Sequence, residues 1–129
     1  MVGFFEAPGE CVARMKSMNS APFAWMICAI ACELIGTTAL KLTQGGERPV
    51  WFIAVACGYT AAFVLFSRAL TSFPLGIAYA MWAGLGIVGS TVIGFMLFRE
   101  PLSWTSLSGI LVILAGVVLV NLGNADRLS

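Results

Sequence analysis

Four apolar stretches, residues 22–40, 50–67, 73–98 and 104–123, each run for 18 residues or more, and only short connections separate them. A helix needs roughly 17–25 mainly apolar residues to cross a hydrocarbon core about 30 Å thick. The expected fold is therefore all-α and integral to the membrane: four transmembrane helices joined by short loops. Composition points the same way, with 60% hydrophobic and only 10% charged residues, where a soluble domain carries about 25% charged. Connections at 41–49, 68–72 and 99–103 leave no room for a soluble catalytic or nucleotide-binding domain. Residues 22–123 thus form one domain, flanked by a polar tail at 1–21, expected to be disordered, and a short tail at 124–129. Arg14 and Lys16 ahead of the first stretch, with Ala29, Ala31 and Cys32 inside it, have the outline of a cleavable signal. The apolar run continues to Leu40 and three more spans follow, so a retained span is expected.

Glu33 lies near the middle of the first span, and no other carboxylate lies as deep in any of the four. Placing a carboxylate at the centre of a membrane helix costs roughly 3 kcal/mol on insertion scales, and such residues mark ion or proton pathways. Four short helices do not readily enclose a polar path. A second copy is expected to supply the other wall, most simply in a dimer.

The helix period sets what surrounds the acid. Met26, Ala29, Ile30, Gly36, Thr37 and Leu40 share the Glu33 face by three-, four- and seven-residue spacing. Ala29, Gly36 and Thr37 are small, which leaves space either for a ligand beside the carboxylate or for close approach of another helix. The carboxylate favours the ligand, so Met26, Ala29, Ile30, Gly36 and Thr37 join Glu33 as candidate substrate-binding residues. Lys41, which closes the span, reads as an interfacial anchor. Tyr59 and Phe63 on the second span, and Tyr79 and Trp82 on the third, sit deeper than the interfacial positions aromatics usually occupy. Flat π-faces near an acid suit lipophilic cations. Gly84, Gly86 and Gly89 soften the third span, and a bend at Gly84 and Gly86 is expected to serve as a hinge. On the fourth span Gly109 and Gly116 lie two turns apart with Val112, Ile113 and Val120 nearby, a smooth stripe suited to a helix–helix dimer contact. Leu114, about 160° around the helix from Gly116, is expected to lie away from that contact.

With alternating helices, Arg14, Lys16, Arg68 and Arg127 fall on one side of the membrane, and Lys41, Arg48 and Arg99 on the other. That is almost no positive-inside bias. Such a chain can insert both ways and form an antiparallel dimer from one gene product; the other reading is a partner chain that fixes one orientation.

These residues resemble the small multidrug resistance (SMR) family, four-helix proton-coupled exporters of bacterial inner membranes. The resemblance rests on Glu33-Leu34-Ile35-Gly36-Thr37 with Lys41 following, on Tyr59 and Phe63, on the run from Pro74 through Tyr79 and Trp82 to Gly86, and on Gly109, Gly116 and Asn121. It implies an antiparallel dimer in a multi-pass inner-membrane setting, with both Glu33 side chains in one chamber. It also implies that Tyr59, Phe63, Tyr79 and Trp82 line that chamber and that the fourth helix makes the dimer contact. Gly36, where guanidinium exporters tend to carry Trp, points to the multidrug branch. Ala83 and the run Leu97-Phe98-Arg99-Glu100-Pro101 look closer to guanidinium or paired members.

Two carboxylates in one low-dielectric chamber repel when both are ionised, so protons are held and released as a coupled pair. A hydrophobic cation and protons then compete for the same acids. The expected function is proton-coupled antiport that exports lipophilic or quaternary ammonium cations. The alternatives are guanidinium or polyamine export, or service as one subunit of a heterodimeric pair. Expected partners are organic cations, protons, the bilayer and a second SMR chain. No cofactor or metal is expected, since Cys11, Cys28, Cys32 and Cys57 lack metal-site spacing. The chain has no His and no second deep acid for acid–base work, so an enzyme is not expected. A net charge of +1 without a basic patch argues against nucleic acid.

Overall fold

The computed structural model describes residues 21–128, and side chains through 123. Of the tail expected to be disordered, residues 1–20 lie outside the described residues, as does residue 129, and Ala21 opens the first helix. Four helices account for almost all of the rest: α1 (Ala21–Leu42), α2 (Trp51–Ala69), α3 (Leu75–Phe98) and α4 (Trp104–Leu128). All four are long and apolar enough to cross a membrane. Hydrocarbon offers the backbone no water to bond, and a helix pairs its own N–H and C=O groups. Helix ends fall within two residues of the expected spans, except that α4 continues past Gly123 to Leu128. The protein is a multi-pass, all-helical membrane protein.

Local chemistry explains where each helix stops. At the end of α1 the buried Thr43 turns its hydroxyl onto the Leu40 carbonyl (2.7 Å), and its amide reaches both Ala39 and Leu40. Gln44, Gly45 and Gly46 then take positive φ, which a right-handed helix cannot continue through. Pro74 caps the start of α3, supplying a carbonyl to the Ala78 amide (2.9 Å) while having no N–H of its own to leave unpaired. Arg99, left-handed at φ 53°, ends α3, and Pro101 prevents its extension. Ser103 caps α4 by accepting the Ser106 amide on its hydroxyl (3.1 Å).

The first helix is the hub. It packs along α2 and against α3, while α4 rests on α3. Met26, Ala29 and Ile30 of α1 form one core cluster with Phe66 and Ala69 of α2, the connecting Phe73, and Ala78 of α3. Above this cluster α1 and α2 touch backbone to backbone, because a Cβ on Gly58 would lie 2.8 Å from both Cα and N of Gly36. Burial declines outward, from 28% of the α1 span to none of the α4 span. Faces that apolar would be intolerable against water, so lipid or another chain must cover them.

The third span is one continuous helix, Leu75–Phe98, with the expected hinge glycines Gly84 and Gly86 inside it. Its glycines have neighbours that need the room. A Cβ on Gly84 would meet Val117 of α4 at 3.2 Å, and one on Gly89 would run into the Leu34 side chain. Leu114 also faces Gly84, where a Cβ would lie 3.6 Å from its Cδ2. It therefore belongs to the α3–α4 contact within one chain.

Candidate functional site

Glu33, partly buried, is held by a short polar relay that spans two helices. Thr37, one turn further along α1, donates its hydroxyl to Glu33 Oε1 at 3.0 Å. The Tyr59 hydroxyl of α2 lies 3.1 Å from the same Thr37 oxygen. Thr37 has one hydroxyl proton and gives it to the carboxylate, so Tyr59 must donate to Thr37. The other carboxylate oxygen faces α3, where a Cβ on Gly86 would lie 3.5 Å from Oε2. Three helices thus converge on one acid.

Close approach of the backbones makes this relay possible. Gly36 and Gly58 let α1 and α2 meet without side chains between them, which brings Tyr59, the residue after Gly58, against α1. Gly36, for which substrate contact was expected, packs in this conformation at the α1–α2 seam. Met26, Ala29 and Ile30 lie in the apolar core with exposures of 0%, 0% and 6%. In this conformation they pack the helices together and are closed to a ligand, whereas substrate contact was expected of them. The helix period put them near Glu33 but could not show that α2 and α3 cover them.

The aromatic residues pair across helices. Trp82 of α3 stacks on Phe63 of α2, with centroids 5.8 Å apart and planes at 25°, and meets Phe66 edge-on at 4.1 Å. Phe63 and Tyr79 remain 62% and 66% exposed, leaving π-faces available to a ligand or another chain. Tyr79 stands two turns before Gly86 on α3, and Tyr59, not Tyr79, is the hydroxyl linked to Glu33. Sequence reasoning passed over Phe66, although it follows Phe63 by three residues on one face, and Gly58, whose place beside Tyr59 was its only signal.

Lys41, expected to be an interfacial anchor, also makes a specific pair. Its Nζ forms an ion pair with Glu100 in the α3–α4 loop and lies 4.4 Å from the Phe98 ring centroid. Two turns of helix separate it from Glu33, and among the described residues no ion pair reaches that acid. Between Lys41 and Thr37, α1 and α3 enclose a cleft of about 290 Å³. On α4, Gly109 and Gly116 open onto empty space, and Val112, Ile113 and Val120 are 71%, 44% and 46% exposed.

Fold and site together describe a four-span membrane protein with a single acid held between three helices. The chain belongs to the Small Multidrug Resistance protein family, whose model matches residues 21–113. The match ends within α4, so Gly116 and Val120 lie beyond it. Among its relatives is a nicotine metabolites export pump subunit, NepA, of Paenarthrobacter nicotinovorans, 41% identical over 75% of this chain and 84% of that protein. The quaternary ammonium compound-resistance protein QacF of Klebsiella aerogenes is 41% identical over 76% of this chain and 91% of its own. The multidrug resistance protein EbrA of Bacillus subtilis is 40% identical over 77% and 94%.

Proposed function

We propose that this chain is a proton-coupled antiporter that exports lipophilic or quaternary ammonium cations, with Glu33 as the shared binding group for proton and substrate. The observation that carries the reading is the Tyr59–Thr37–Glu33 relay, a carboxylate oriented inside a membrane domain with one oxygen facing the neighbouring helix. Relatives described as multidrug and quaternary ammonium resistance proteins support this substrate class. The exposed rings of Phe63 and Tyr79 supply π-faces that attract a desolvated cation. Two copies, arranged antiparallel, would each contribute a Glu33 to one chamber and meet through the Gly109/Gly116 face. A cation binding there displaces protons from the carboxyl pair, and returning protons displace the cation. Exchange follows because the empty, doubly ionised chamber is unfavourable and crosses slowly.

A second reading is that the chain works as one half of a paired pump, which the description of NepA as a pump subunit favours. One experiment addresses substrate and pairing together. Purified protein, alone in detergent, is mixed with tetraphenylphosphonium, guanidinium or spermidine, and proton release is measured in weak buffer. Release with tetraphenylphosphonium supports the multidrug reading in a homomer. Release only with guanidinium or spermidine assigns the other substrate class, and no release from the single chain favours the paired pump.

A further inference from the structure

The cleft between α1 and α3 is lined with hydroxyls at one end and flanked by a charge pair at the other. Thr38 donates to the Leu34 carbonyl (2.7 Å), Thr91 to Ile87 (2.7 Å) and Ser90 to Ile87 (3.1 Å). Each hydroxyl spends its proton on its own helix and keeps lone pairs to offer water. A cavity needs only about 10–15 Å³ of probe-occupied volume for each water, so about 290 Å³ admits several. At the inner end of the cleft stands Thr37, whose hydroxyl holds Glu33. Lys41 and Glu100 face each other across the outer end.

The backbone is shaped to bring Glu100 there. The left-handed Arg99 folds the chain back, and the Glu100 amide bonds the Gly94 carbonyl (3.0 Å). The carboxylate then lies over Gly94, where a Cβ would sit 2.5 Å from Oε2 and would push the Glu100 side chain from this position. The Phe98 ring beneath Nζ steadies the lysine. Both side chains are about half exposed, at 47% and 52%, which keeps the pair weak enough to open.

We propose that Lys41 and Glu100 form a latch over a water route to Glu33. This rests on the reading of Glu33 as the proton-exchanging acid. The proton displaced from the Glu33 carboxyl passes to cleft water and leaves as hydronium, and the carboxylate stays behind. An open latch lets cleft water exchange freely with the outside, and a closed one slows that exchange.

Two readouts test this in the full chain with its four cysteines replaced by alanine. A cysteine is introduced by Thr91→Cys, and its reaction with neutral hydroxyethyl methanethiosulfonate is timed in detergent. Glu100→Gln, Lys41→Met and Gly94→Ala should each speed labelling about 2- to 5-fold, equivalent to about 0.4–1 kcal/mol at 1.4 kcal/mol per tenfold. The exchanged pair Lys41→Glu with Glu100→Lys should return it toward the parent. Equal labelling in every variant overturns the latch, as does acceleration that the exchanged pair fails to reverse. If one single variant does not fold, as judged by circular dichroism, the other two carry the test. The same labelling series in Glu33→Gln protein reads the latch independently of transport. Cation-triggered proton release, timed with Thr91 restored, should quicken by a similar factor in Glu100→Gln. Faster labelling with unchanged release would overturn the route, whereas release that persists in Glu33→Gln would count against the role given to Glu33 and leave the labelling result standing.

Discussion

Gly58→Ala probes the contact on which the relay depends. The new methyl would lie 2.8 Å from Gly36 Cα and N and 3.0 Å from the Cys32 carbonyl oxygen. Carbon atoms in good contact sit about 3.5–4.0 Å apart, so α1 and α2 must separate by about 1 Å, enough to forfeit a quarter to a half of each dispersion contact along the seam. All three obstructing atoms are backbone, so no rotamer change relieves the clash. Overpacking of this kind costs about 1–3 kcal/mol. Alanine also favours a helix over glycine by about 1 kcal/mol, and Gly123→Ala, with open space around it, carries that gain alone. At Gly36 the nearest atoms would lie at 3.3–3.5 Å, a milder crowding. The expected order of stability is Gly123→Ala, then Gly36→Ala, then Gly58→Ala, with about 1–3 kcal/mol between the extremes. Unfolding by dodecyl sulfate in mixed micelles, followed by circular dichroism, measures it. A Gly58→Ala protein as stable as Gly123→Ala would refute the backbone-to-backbone seam.

Other substitutions separate the parts of the site. Thr37→Val keeps the shape of the side chain but removes the link between Tyr59 and Glu33. Loss of a hydrogen bond to a charged group, partly replaced by water, should weaken cation binding about tenfold near neutral pH, as read by calorimetry. Trp82→Ala removes the stacked and edge-on partners of Phe63 and Phe66 and should cost about 1–3 kcal/mol in the same unfolding titration, since each ring pair contributes about 0.5–1.5 kcal/mol beyond area. Gly116→Ile should abolish dimer cross-linking, while Ala115→Ile, exposed and turned about 100° away, should retain it. Equal cross-linking of the two would move the interface off that face.

Sequence legibility followed the physics of the solvent. In a bilayer, length and apolarity nearly determine a span, so all four helices were readable from hydropathy alone. Glu33 was equally plain, because its cost in hydrocarbon makes it conspicuous. What the helix period could not supply was which neighbour covers each face. Met26, Ala29 and Ile30 share the Glu33 face in projection, yet α2 and α3 close over them. Leu114 was placed away from the Gly109/Gly116 face, but the helix period could not show that it packs on α3. Gly36 was assigned to the substrate site over a helix seam, and only the backbone of Gly58 shows the seam. The Lys41–Glu100 pair joins residues 59 positions apart, a separation at which local spacing carries no signal.

The role of Glu33 is tested most directly by proton release from purified wild-type and Glu33→Gln protein on addition of tetraphenylphosphonium. The amide preserves the size of the side chain and can still accept from Thr37, but it has no proton to exchange. Release from the wild type and none from a folded Glu33→Gln protein is the expected result. Undiminished cation-driven release from Glu33→Gln would contradict the shared proton and substrate site.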